Sequence, residues 1–331
     1  MNILKAKNLT IGYGEKAVQR SLNLEAQARD LICLTGTNGS GKSTLLRTLA
    51  GLQPALGGKV MIANKDIASL NVHQRSTLFS LVLTDDIDIE RLTVRELVAM
   101  GRFPYTNWAG SLSSKDDEII DKALKDVHLS HKANAMINHI SDGEKQRAVI
   151  AKALTQDTPL VLLDEPTAHL DLPNRIEIML LLRRLSVSTG KSFILSTHEL
   201  DLALQMADKI WLMTPQGVEI GMPEDLMLTG SFQSAFGSES FSFDAIDGHC
   251  HIHQIKGPME IAIVATEGAE AHEAWLRRAL IRVGIQVNNS SEKKIYCTPQ
   301  GYQLTENGNV HTTIEELLKN IFEVRESRIE N

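Results

Sequence analysis

The chain has 331 residues, a hydrophobic fraction of 43%, a charged fraction of 23% and a formal net charge of -7. That length predicts about two domains with room for a substantial core, and the acidic balance argues against a nucleic-acid-binding surface. The three cysteines, Cys33, Cys250 and Cys297, are too widely spaced for a zinc ligand set or a disulfide framework, which points to a reducing compartment.

The opening "MNILKAKNLTIGYGEK" reads as a polar, strand-like start rather than a signal peptide. No uncharged apolar stretch approaches the ~20 residues needed to span a bilayer, so a membrane role has to run through a partner. The first thirty or so residues predict an antiparallel β-subdomain. "LICLTG" (31–36) then leads into the helical "KSTLLRTLAGL", and "PLVLLDEP" (159–166) follows the helical "GEKQRAVIAKALTQ". "RIEIMLLLRRLSVSTG" has helical spacing and ends on Gly190, "SFILST" (192–197) is a further buried strand, and "KIWLMTPQGVEIGMP" predicts a hairpin turning at Gly217. Continuous apolar strands alternating with helices predict a parallel sheet covered on both faces, an α/β fold.

Composition shifts after residue 235. The stretch 236–258 is rich in Gly, Ser and Phe with no clear period and reads as a linker, and 259–331 reads as a small separate α/β domain. Within it "MEIAIVAT", "IQVNN" and "KIYCT" predict strands, "AHEAWLRRALIRVG" (271–284) and "IEELLKNIFEV" predict helices, and "YQLTENGNVHTT" predicts a hairpin with an Asn-Gly turn.

The chemistry concentrates in the first part. "GTNGSGKS" (Gly36–Ser43) fits G-x-x-x-x-G-K-[ST] and sits between a buried strand and a helix, as a phosphate-binding loop must. Its glycines let the amides of residues 38–44 turn inward around phosphate oxygens, so Gly36, Asn38, Gly39, Ser40, Gly41 and Thr44 are candidate nucleotide contacts. The helix N-terminus adds partial positive charge. Lys42 is the candidate for the β- and γ-phosphates and Ser43 for Mg²⁺. In "LVLLDEP", Asp164 closes an apolar strand where it can reach the metal, and Glu165 can accept a proton from an attacking water. His198, in "STHE" (196–199), follows another buried strand and can reach a γ-phosphate. A guanine-reading N-K-x-D motif is excluded, because "NKDI" (64–67) carries Ile67 where the aspartate belongs.

"ISDGEKQR" (140–147) has the features of a helix start: Ser141 or Asp142 can cap it, Gly143 permits a close approach, and Glu144 suits the positive end of the dipole. It holds no nucleophile and no general base. The order of phosphate loop, "ISDGEKQR", "LVLLDEPTAHLD" and "STH" resembles the ATP-binding subunits of ABC (ATP-binding cassette) transporters over residues 1–235. The resemblance implies a P-loop NTPase cassette with a parallel-sheet core, an antiparallel β-subdomain and a helical subdomain at about 85–155. It also implies that Tyr13 stacks on adenine, Asp164 binds Mg²⁺, Glu165 is the general base, His198 senses the γ-phosphate, and Ser141, Gly143 and Glu144 form the signature loop. Asp171, in "AHLD", would lie on a loop crossing between two subunits.

The resemblance further implies ATP as substrate, Mg²⁺, a head-to-tail dimer sandwiching two ATP molecules, and integral-membrane permease partners at the cytoplasmic face of the membrane, with a substrate-binding protein as an indirect partner. "LTVRELVAMGRFPYTNW" (92–108) is similar to the corresponding region of ATPases serving importers of iron chelates, haem and vitamin B12. The rival readings are a non-transport ABC ATPase, disfavoured by the single cassette and the absence of long heptad segments, and an importer ATPase for another substrate class.

Two departures from the family pattern stand out. The usual Ser-Gly-Gly-Gln signature is Ser141-Asp142-Gly143-Glu144 here, and Thr84 stands where a metal-touching glutamine is usual, with Asp85 or Asp86 as alternative contacts. "HCHIH" (249–253) contains His249, Cys250, His251 and His253, potential metal ligands in what reads mainly as a solvated linker.

Overall fold

The computed structural model describes residues 2–83, 91–106, 110–238, 240–245, 248–253, 257–305 and 308–326. The chain folds into two compact units, one of Met1–Ser238 with Phe243–Cys250 and the other of Glu239–Ser242 with His251–Asn331.

The first unit contains two sheets. The antiparallel one is built from β1 (Asn2–Tyr13), β2 (Lys16–Gln27), β4 (Gly57–Ile62) and the short β5 (Lys65–Asp66), in the order β2-β1-β4-β5. The other contains β3 (Leu31–Gly36), β6 (Phe79–Val82), β7 (Leu160–Leu163), β8 (Ser192–Ser196), β9 (Lys209–Thr214) and β10 (Gly217–Gly221), in the order β10-β9-β3-β8-β7-β6. Its first five strands in chain order pair in parallel, and only β10 runs antiparallel, turning back at Gly217 as the sequence predicts. Every residue of β3, β7 and β8 is buried, the signature of strands covered on both faces. Cys33 lies inside β3, where burial pushes its thiol up to about 12, so it is a core hydrophobe.

The described part of this unit has nine α-helices: α1 (Lys42–Leu49), α2 (Val72–Ser76), α3 (Val94–Ala99), α4 (Ser114–Asp126), α5 (Asp142–Thr155), α6 (Leu172–Thr189), α7 (Leu200–Met206), α8 (Pro223–Leu228) and α9 (Ser231–Phe236). Asp171 caps the start of α6 and left-handed Gly190 stops it. Leu97, Val98, Ile120, Leu124, Ile150 and Leu154 interlock α3, α4 and α5 within a single apolar cluster. One side chain bolts the same helices together. Arg102, just past α3, is buried and pairs with Asp116 of α4 at 2.7 Å, donates to the Thr155 carbonyl at the end of α5 at 2.8 Å, and lies 4.0 Å from the centre of the Tyr105 ring. Hydrogen bonds from Ser113, aided by Arg102, hold the Asp116 carboxyl down at about 2. The "GRFP" stretch therefore contributes a structural clamp.

The segment 236–258 is less featureless than its composition predicts, because it contains two short strands, β11 (Phe241–Phe243) and β12 (Cys250–Ile252), which pair with each other. The second unit continues with β13 (Glu260–Ala265), α10 (Glu270–Arg282), β14 (Gln286–Val287), β15 (Lys294–Thr298), β16 (Gly301–Gln303) and α11 (Ile314–Glu326). Its sheet runs β14-β13-β15-β16 over a core of its own, with Ile261, Leu276, Leu280, Ile295, Leu317 and Ile321 buried together. Tyr302 bridges to His311 as a returning strand would, and the Asn-Gly turn between them begins at Asn307, outside the described residues. Among the described residues, no helix is long and apolar enough to cross a membrane.

Candidate functional site: a phosphate loop facing two carboxylates

The loop after β3 is held open by backbone geometry. Gly41, at φ 103°, caps α1, and a Cβ there would sit 2.7 Å from Cγ1 of Val18, so only glycine fits. Lys42 folds back into the loop and donates to the Gly36 carbonyl at 2.9 Å and the Thr37 carbonyl at 3.2 Å. Burial lowers the pKa of its ammonium, and the negative charges of Glu165 and Asp164 partly offset that effect. Among the described residues the buried Ser40 hydroxyl has no partner, an orphan that an anionic oxygen in the loop would satisfy. Tyr13 is 55% exposed at the end of β1, and its phenol oxygen accepts from the Thr44 hydroxyl at 3.2 Å, which leaves the ring available for stacking.

Opposite the loop stand the ends of β7 and β8. Asp164 is buried, and its Oδ1 accepts from Ser43 Oγ at 3.1 Å and from Ser196 Oγ at 2.7 Å. Ser43 and Asp164 thus present hard oxygen donors beside one another, a set that fits Mg²⁺. Glu165 adopts φ +47°, a conformation that costs an L-residue roughly 1 kcal/mol. Its amide donates to Ser196 Oγ at 2.8 Å, and its Oε1 lies 2.9 Å from His198 Nε2. Lys42, Ser43, Asp164, Glu165 and His198 are therefore brought together in one place.

The signature stretch is built differently. Ser141 and Glu144 form a reciprocal capping box on α5: the Glu144 amide donates to Ser141 Oγ at 3.3 Å, and the Ser141 amide donates to Glu144 Oε2 at 2.9 Å. That amide, with Lys132 at 3.7 Å, keeps the Glu144 carboxyl below the usual range. The unusual Glu144 is thus a helix-cap partner, and Asp142 is neutralised by Lys145 at 3.0 Å. Gly143 has a steric requirement, since a Cβ there would lie 2.2 Å from Oδ1 of Asn174. Asn174 is in turn held by Asp171 Oδ1, which accepts from its amide at 3.1 Å and its side chain at 2.7 Å. Within this chain, Asp171 therefore belongs to the neighbourhood of Gly143.

Sequence reasoning missed the connecting roles of Ser196 and Asn174. Ser196 follows the apolar run Phe193–Leu195 and stands two positions before His198, and Asn174 stands three residues after a capping aspartate. Thr84 and Asp85, named as possible metal contacts, lie outside the described residues, as does the neighbouring Asp86. Of the "HCHIH" residues, His249 approaches Asp201 at 3.9 Å and His253 bonds the Ser242 hydroxyl at 2.8 Å, and among the described residues no three metal-ligating side chains cluster.

The ABC transporter family model matches residues 19–168, and the model for the iron ABC transporter C-terminal domain matches 260–322. A petrobactin import ATP-binding protein of Bacillus anthracis is 36% identical over 68% of this chain and 82% of its own length. The ferric enterobactin transport ATP-binding protein of Escherichia coli is 34% identical over 73% of this chain and 89% of its own. Among solved structures, cbiO1 from Clostridium perfringens, part of an ABC transporter complex, matches with TM-score 0.62 at 26% identity, covering 71% of this chain and 96% of that one. A dimeric post-hydrolysis cassette bound to ADP and Pi matches with TM-score 0.57 at 28% identity, covering 66% and 98%. ATP hydrolysis is the activity of these cassettes, and the chain belongs to the ATP-binding subunits of ABC transporters.

Proposed function

We propose that this chain hydrolyses ATP to energise import of an iron chelate through a separate membrane permease, from the cytoplasmic face of the membrane. The observation that carries the hydrolytic part is the juxtaposition of Glu165 and His198, 2.9 Å apart, with the Ser43–Asp164 pair beside the phosphate loop. The match of the second unit to an iron transporter C-terminal domain, together with relatives named for petrobactin and ferric enterobactin, supports iron chelates as the cargo.

In this reading Lys42 moves its ammonium from the Gly36 and Thr37 carbonyls to the β- and γ-phosphates, while the loop amides bind the remaining oxygens. Ser43 and Asp164 hold Mg²⁺, which supplies charge neutralisation to the phosphates when bound. Glu165 takes a proton from the attacking water, and His198 fixes the carboxylate that does so. Ser141 and Gly143 of a second copy close over the nucleotide, which explains an anion-suited helix start that carries no base of its own.

Glu165→Gln tests the reading. Turnover should fall by about 100-fold or more, with ATP binding intact and a nucleotide-dependent dimer accumulating on size exclusion. Wild-type turnover in that variant would overturn the reading, and cells carrying it should also fail to accumulate labelled ferric siderophore.

A further inference from the structure

We infer that Ser196 is a positioning residue for hydrolysis, a single buried hydroxyl that sets both candidate carboxylates at once. The inference rests on the roles proposed above for Asp164 and Glu165. Strands β7 and β8 lie side by side in parallel, with Leu163 paired to Leu195, so the residues following each strand emerge together. Ser196 is fully buried there, and its side chain reaches across the strand ends.

A hydroxyl has one proton and two lone pairs. Asp164 Oδ1, 2.7 Å away, can only accept, and the Glu165 amide, 2.8 Å away, can only donate. The Ser196 proton is therefore committed to Asp164 and a lone pair to Glu165, and the hydroxyl cannot rotate without breaking one bond. The first bond aims the Asp164 carboxylate toward the mouth of the loop, where Ser43 shares the same oxygen at 3.1 Å. The second pins the amide of a residue held at φ +47°, which turns the Glu165 side chain toward His198. Ser43 and Asp164 would together hold the metal. Ser196, enclosed by the sheet, keeps both bonds throughout. A serine that merely filled space would contribute to stability and leave the rate of each folded molecule unchanged.

The test uses the purified full-length chain with Ser196→Ala, Ser196→Thr and Glu165→Gln. Three quantities are measured: ATP turnover, binding of a fluorescent ATP analogue across a Mg²⁺ titration, and thermal unfolding. Ser196→Ala should lower kcat by about tenfold with KM within about twofold. It should also raise the Mg²⁺ concentration needed for half-maximal binding of the analogue. Ser196→Thr, which retains a hydroxyl, should recover most of both losses. If the added methyl group prevents folding, Ser196→Cys replaces it, and an intermediate rate is expected from the weaker donor. A Ser196→Ala enzyme with kcat within twofold of wild type overturns the inference, as does a loss no larger than its unfolded fraction, or a folded threonine variant without recovery. If Glu165→Gln is inactive while Ser196→Ala is normal, only the Ser196 inference falls. Full activity in Glu165→Gln removes the reading of the site itself.

Discussion

Lys42 illustrates how burial and charge compete at one side chain. The lysine is almost enclosed by the phosphate loop, so desolvation outweighs the attraction of Glu165 and Asp164 and its pKa falls below the ordinary 10.5. A lysine whose folded-state pKa is depressed costs stability while protonated. That cost is fully present below the lowered pKa and disappears as pH rises toward the unfolded value. A bound triphosphate favours the ammonium, so in alkaline buffer ATP binding should draw a proton from solution. Calorimetry in buffers of differing ionisation enthalpy should detect this uptake, and Lys42→Arg, which stays charged, should abolish it. The lysine itself was legible in the sequence because its motif is local. The hydroxyl of Ser196 was not, because its two partners follow a different strand and no spacing rule joins them.

At the scale of elements, periodicity and punctuation served well where the chain is regular. The buried strands, the β9–β10 hairpin, the Gly190 stop and the two helices of the second unit all stand where apolar runs and turn residues place them. The segment 236–258 resisted because its strands are only three residues each, too short to display a period. Glu144 departs from the usual glutamine of the signature, and the capping box supplies its reason.

The contact between the starts of α5 and α6 was equally invisible, because it depends on a missing side chain, the absent Cβ of Gly143 against Asn174. Gly143→Ala should therefore destabilise the chain by about 1–3 kcal/mol. Removing the obstacle with Asn174→Ala should recover part of that loss, a coupling of about 1 kcal/mol in a double-mutant cycle followed by urea unfolding. Additive losses would mean that the two residues do not press on one another.

For the whole molecule, the two units have separate apolar cores, and every nucleotide contact proposed above lies in the first. Heating should thus give two cooperative transitions. ADP at 100 times its dissociation constant should stabilise one of them by about 2.7 kcal/mol and leave the other in place. A single transition that moves as a unit would contradict this independence. Within the first unit, the Arg102 clamp has a mechanical meaning. Because α3, α4 and α5 share one buried rivet as well as one core, they resist bending individually and open only in concert. Slow amide exchange in these three helices should share a single opening free energy. A push delivered at Gly143, on the first turn of α5, would then travel through a stiff lever rather than being absorbed along the way.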